Sequence, residues 1–220
     1  MIRSNLIRFA AVLGVTVAGC KAVEGPARTH SAPAPAIETG WHLYRSETHR
    51  FSISLPVKWS VFDLESDADM SAMTKLGATD KDVKAALASA SGVPNAAVVA
   101  IDMGPEAGKL RPTLAIAHRT GLSMGAFDED AVRRYKLGIQ TSLQPNASLS
   151  KAEKIGLPIG AAIFSRVDFE SKEPSGNLVT ESYFIPNSDE TYIFRFACSE
   201  ANEPALSQIF RRVVDSLRLR

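Results

Sequence analysis

The feature that most constrains this chain is a run of three long strand-like segments near its C-terminus, at about 160–169, 178–186 and 190–198, separated by short connections. Pro174-Ser-Gly176 and Asn187-Ser-Asp189 supply the turn residues between them. Connections this short allow only antiparallel pairing, because a parallel crossover needs a dozen or more residues. The chain must therefore build an antiparallel sheet and find something to cover it.

The rest of the sequence supplies the cover. Phe51-Ser-Ile-Ser-Leu55 alternates apolar and polar, as a half-buried strand does, and Pro56 ends it. Trp59-Ser-Val-Phe62 reads as a second short strand, and Ala96–Ile101 and Thr113–Ala117 as two more. Residues 67–90 read as helical, with Gly77 dividing them into two helices. Thr79 caps the second, whose stripe is Val83, Ala86, Leu87 and Ala90. Asp128 or Asp130 is expected to cap a helix with the stripe Val132, Tyr135, Ile139 and Leu143. A last helix opens at Asn202 and Pro204 and repeats Leu206, Phe210, Val213 and Leu217. The expected class is α+β, an antiparallel sheet covered by helices.

Pairing within the meander gives a candidate site. A turn near Pro174 sets Arg166 opposite Glu181, and a turn centred near Asn187-Ser188 sets Glu181 opposite Arg195. Parity then places Arg166, Glu181 and Arg195 in one row. Ile163, Val167, Phe169, Phe184, Tyr192, Phe194 and Phe196 fall on the other face. Such a row either lines a groove that recognises an acidic or polar group, or forms a structural cross-strand ladder.

The N-terminus reads as an address. Arg3 and Arg8 precede the uncharged run Phe9–Ala18, which is about half the roughly 20 residues needed to span a bilayer. The run ends in Val17-Ala-Gly-Cys20. This tetrapeptide resembles the lipobox of bacterial lipoproteins, with Val17 where Leu is commonest. The resemblance implies a signal peptide over 1–19, diacylglyceryl transfer to the Cys20 thiolate, and cleavage just before it. More than one acyl chain would hold the product durably on a membrane. Residues 20–40, with Ser31-Ala-Pro-Ala-Pro-Ala36, form a Pro/Ala-rich tether, and 41–220 form the domain. Lys21 follows the cysteine. It is not the Asp associated with inner-membrane retention in enteric bacteria, which favours the outer membrane in a host that has one.

Charge and motifs exclude several function classes. The formal net charge is +1, so no basic face for nucleic acid is indicated. Gly121-Leu-Ser-Met-Gly125 matches the nucleophile-elbow pattern, but His30, His42, His49 and His118 all precede Ser123. The family order of Ser, acid and His is therefore impossible. The histidines lack metal-ligand spacing, and Asp67/Asp69 and Asp128/Asp130 lack the rest of a calcium loop. These acids suit helix N-termini instead. No catalytic residue, cofactor or metal is expected. Cys198 is read as a buried, inert thiol.

Tyr44-Arg-Ser-Glu-Thr-His-Arg-Phe-Ser-Ile-Ser-Leu-Pro56, followed by Trp59, resembles the opening of PsbP-like and DcrB-like domains. The meander from Ile155 to Ala197 and the terminal Ile209–Leu217 fit the same plan. The resemblance implies an α/β/α sandwich and, among bacterial relatives, an envelope lipoprotein acting as a binding module or assembly factor. The expected function is thus a non-catalytic, lipid-anchored module with a protein partner. A small-ligand-binding lipoprotein, or a serine hydrolase using Ser123, is the alternative.

Overall fold

The structure is a computed structural model that describes residues 39–79, 95–105, 110–120, 128–171 and 176–220. Its elements in chain order are β1 (Trp41–Ser46), β2 (Phe51–Pro56), β3 (Trp59–Asp63), α1 (Asp67–Thr79), β4 (Ala96–Asp102), β5 (Thr113–Thr120), α2 (Glu129–Ser142), β6 (Ala147–Leu157), β7 (Gly160–Phe169), β8 (Leu178–Asn187), β9 (Glu190–Ser199), a 3-10 turn (Glu200–Asn202), α3 (Glu203–Asp215) and β10 (Arg218–Leu219).

Among the described residues two sheets form, and every pairing in them is antiparallel. The larger runs β3-β4-β5-β9-β8-β7-β6 and the smaller β1-β2-β10. The three expected long strands are β7, β8 and β9. They continue into β6, an edge strand that the sequence did not announce because Lys151, Glu153, Lys154 and Gly156 depress its strand propensity. Those charges, with a register shift between Leu149 and Lys151, also protect the edge from pairing with another chain.

Each face of the large sheet has its own core. One face packs Leu114, Ile116, Tyr183, Ile185, Phe194 and Phe196 against Phe51 and Ile53 of β2 and Phe210, Val213 and Val214 of α3. Phe196 stacks on Phe210 with centroids 4.4 Å apart, and Trp59 meets Phe210 edge-on. The opposite face packs Phe62, Val99, Ile101, Ala115, Ala117 and Ile193, with Met73 and Leu76 of α1 against them. Tyr135 of α2 meets Phe184 on that face. Helices thus cover both sides of an antiparallel sheet, the expected α/β/α sandwich.

Helix ends follow local chemistry. Asp128, not Asp130, caps α2, its Oδ1 accepting the Ala131 N–H at 2.8 Å. Asp67 and Asp69 lie in the first turn of α1. Helix α1 continues past Gly77 to Thr79 rather than breaking there, since one glycine costs a helix only about 1 kcal/mol. The expected second helix, at 79–90, lies outside the described residues apart from Thr79.

Candidate functional site

The structure divides the expected charged row. Arg166 pairs with Glu181 as expected, but Glu181 faces Phe196, and Arg195 faces Ser182. The cause is the β8–β9 turn. Asn187 pairs with Glu190, so Ser188 and Asp189 are the two turn residues, and Ser188 takes the positive φ of 54°. This centre is one residue later than the sequence suggested. In a strand, a one-residue slip transfers every side chain to the other face. Tyr192, Phe194 and Phe196 therefore join Glu181 and Arg166. Arg195 goes to the face that holds Ile163, Val167 and Phe184.

Arg166 and Glu181 do belong to one polar cluster, built where β7, β8 and β9 meet the start of α3. The Arg166 Nε donates to Asp168 Oδ1 at 2.9 Å, and its Nη1 lies 3.0 Å from Glu203 Oε1. Glu181 is only 2% exposed. Its carboxylate accepts the Ser207 hydroxyl at 2.8 Å and the Tyr183 hydroxyl at 3.2 Å. Burial pushes its proton affinity above the ordinary carboxylate range, against the lowering effect of those two hydrogen bonds and of Arg166. Cys198 shares this environment. Burial, with the charges of Glu181 and Glu203, raises its thiol to about 12. A thiol held there stays protonated at neutral pH and is a poor nucleophile.

Arg195 lies on the opposite face in a row of small residues, Ala115, Ser182, Ser165 and Ala152. Its Nε donates to Ser182 Oγ at 3.2 Å. The Tyr135 hydroxyl, from α2, shares a 2.8 Å hydrogen bond with Ser165 Oγ. This is a layer of hydroxyls and one guanidinium beneath α2, with small residues leaving room for the long Arg195 side chain. Burial lowers the proton affinity of Arg195.

Sequence reasoning missed Asp168, Glu203, Ser207 and Tyr183 as members of the Glu181 cluster. Asp168 and Tyr183 had a signal, since each lies two residues from a cluster member on the same strand face. Glu203 and Ser207 arrive from a helix whose docking no local pattern encodes. Cys20 and Ser123 lie outside the described residues. Among those residues, no group of three His, Cys, Asp or Glu side chains is arranged to hold a metal ion, and no helix is long and apolar enough to cross a membrane.

No protein-family model matches the sequence, and no curated protein does. Solved structures do match in shape. The solution structure of cyanobacterial PsbP (CyanoP) from Synechocystis sp. superposes with a TM-score of 0.51 at 12% identity, covering 86% of this chain and 100% of that one. The fold is PsbP-like. The yeast Ran-binding protein Mog1p (Saccharomyces cerevisiae) matches with a TM-score of 0.49 at 8% identity, over 81% of this chain and 95% of its own. LpqN of Mycobacterium tuberculosis, described as involved in cell envelope biogenesis, matches with a TM-score of 0.45 at 12% identity, over 86% and 87%. At such identities the likeness is one of architecture, and the same architecture carries unrelated functions.

Proposed function

We propose that this chain is a bacterial lipoprotein, anchored through acyl chains on Cys20, whose PsbP-like domain works outside the cytoplasm as a non-catalytic binding or assembly-assisting module. The observation that carries the reading is the order of the N-terminal signals. Arg3 and Arg8, the apolar run Phe9–Ala18 and Val17-Ala-Gly-Cys20 stand in sequence ahead of a Pro/Ala-rich stretch and a PsbP-like domain.

The geometry favours a partner that meets the outer surface of the domain. Arg166 and Glu181, offered by the sequence as a recognition groove, are engaged with Asp168, Glu203, Ser207 and Tyr183 where the sheet meets the start of α3. They act as a ladder that seats α3. Three concavities on the described surface, beside α3, at the β6–β8 end and between α2 and β6, are open grooves of about 340–450 Å³, which suit contact with a macromolecule better than enclosure of a small ligand.

The test is Cys20→Ser expressed in the native host beside the wild type. The expected result is loss of acyl mass, accumulation of unprocessed precursor and release from the membrane fraction. Crosslinking in intact cells, read by mass spectrometry, should recover a protein partner from the wild type and lose it with the variant. Unchanged processing and fractionation in the variant would overturn the anchor, and with it the proposed workplace.

A further inference from the structure

Among the described residues the larger sheet ends in β6 and β3, and the smaller in β1 and β10. Three of these edges are blunted. β6 carries Lys151, Glu153 and Lys154 and a register shift. On β3 the Leu64 N–H bonds toward β4, so the Asp63 N–H points outward, where Asp69 of α1 accepts it at 2.9 Å. β10 is only two residues long. β1 has none of these devices. Its six residues, Trp41–Ser46, include no proline or lysine, and their pairing with β2 runs without a bulge.

The β1–β2 ladder fixes which backbone groups face out. The Val57 N–H donates to the Gly40 carbonyl at 3.0 Å, and the hydrogen-bonded pairs continue through His42↔Leu55, Tyr44↔Ile53 and Ser46↔Phe51. In an antiparallel ladder the residues between such pairs aim their N–H and C=O groups the other way. Trp41, Leu43 and Arg45 therefore present theirs along the outer edge of β1, where no described strand pairs. Their side chains share one face of the strand, on which Leu43 is half-buried and Arg45 exposed. The Trp41 ring already receives one cation, the Arg212 guanidinium at 4.1 Å.

We propose that β1 pairs antiparallel with β1 of a second copy of this chain, about a two-fold axis through Leu43, joining the two small sheets into one. A two-fold interface needs a patch that complements itself, and this strand does so in one register. With Leu43 opposite its own copy, Trp41 of each chain stands opposite Arg45 of the other, and all three residues exchange their outward N–H and C=O groups. Each exposed Arg45 gains an aromatic ring across the strand pair. On the other face His42 stands opposite Tyr44. The two Arg45 residues end four positions apart, roughly 13 Å, beyond the Debye length of about 8 Å at physiological salt. Every other register of the outward groups leaves at least one of the three residues unpaired, and the one centred on Arg45 sets two guanidiniums face to face. The pairing does not require the lipid anchor.

Disulfide trapping on the purified full chain tests the register. Leu43→Cys places two thiols on Cα atoms about 5.5 Å apart, inside the range a disulfide spans, whereas the Arg45→Cys copies lie roughly 13 Å apart, outside it. Under copper-phenanthroline oxidation, with the background of the parent chain subtracted, Leu43→Cys should form a covalent dimer at least about tenfold faster than Arg45→Cys. Leu43→Pro deletes one outward N–H and leaves the β1–β2 ladder intact, so it should raise the dimer dissociation constant in sedimentation velocity at least about tenfold. Oxidation of Leu43→Cys in a cell lysate should give the same doubled mass. Equal trapping of the two cysteine variants, or a wild-type chain that stays monomeric at every concentration, would overturn the proposal. A lysate product of another mass in place of the dimer would overturn it too, giving the edge to a different chain.

Discussion

Arg166 stands directly across from Glu181 in the β7–β8 pairing, yet the two do not share a hydrogen bond. The guanidinium goes to Asp168 and Glu203, and the Glu181 carboxylate goes to Ser207 and Tyr183. Two neighbours with opposite charges thus serve as separate docking points for α3, one bonding the acid of its first turn and the other a hydroxyl one turn further on.

Removing one end of the Arg166–Glu203 pair should therefore loosen the helix. Their side chains are 27% and 15% exposed, so the pair is partly shielded from solvent. Arg166→Ala is expected to cost about 2 kcal/mol in urea denaturation, much of it from leaving Glu203 half-buried and unpaired. The double-mutant cycle with Glu203→Ala should show a coupling of about 1 kcal/mol. Additive losses would mean the contact contributes nothing specific.

Glu181 makes stability depend on pH in a direction opposite to most carboxylates. Its folded-state affinity for a proton is raised, chiefly by burial. As pH rises, the unfolded chain releases this proton first, so the native state binds more protons between the ordinary carboxylate value and the raised one. Stability contributed at this position is therefore lost as pH climbs through that interval and is intact below it. Glu181→Gln removes the titration. The unfolding free energy of the variant relative to the wild type should rise as pH climbs above the ordinary carboxylate value and level once the raised value is passed. A constant difference across that range would show that Glu181 does not titrate as its burial implies.

How far the sequence could be read is clearest at Arg195. Turn residues and alternation located β7, β8 and β9 within about a residue, and Phe210 and Val213 appeared on the buried stripe of α3. Those signals are local and redundant, each strand or helix repeating its period several times. The β8–β9 register rests on a single turn. Asn187 is the commoner carrier of positive φ, but Ser188 takes it, and nothing nearby in sequence reports the choice. One residue of slip moved Arg195 away from Glu181 and brought Phe194 and Phe196 under α3. The Glu203 and Ser207 contacts were out of reach for a different reason. They depend on how a helix seats on a sheet, which is a property of the assembled core.

Cys198 offers a check on the packing of that cluster. It is 1% exposed and its thiol is pushed up to about 12. Alkylation by iodoacetamide at neutral pH should be slower in the native protein than in urea by at least about 100-fold, as both access and thiolate population are suppressed. Labelling at comparable rates in the two conditions would show that the junction of β9 and α3 opens readily.

The contact between Phe196 and Phe210 should carry more of the stability of the domain than any polar pair discussed above. Phe210 is 1% exposed, stacks on Phe196 at 4.4 Å and meets the Trp59 edge at 6.3 Å. It thereby joins α3 both to the edge strand β3 and to β9, three positions further into the sheet. Phe210→Ala removes the transfer free energy of a whole ring and leaves a cavity that stiff β-strands on one side cannot fill. The expected loss is about 4 kcal/mol, a large part of the 5–15 kcal/mol typical of a folded domain. Phe210→Leu keeps most of the volume and should cost about half as much. If Phe210→Ala melted within a few degrees of the wild type, α3 would be a peripheral cover, and the polar cluster at its N-terminal end would be left as its main attachment.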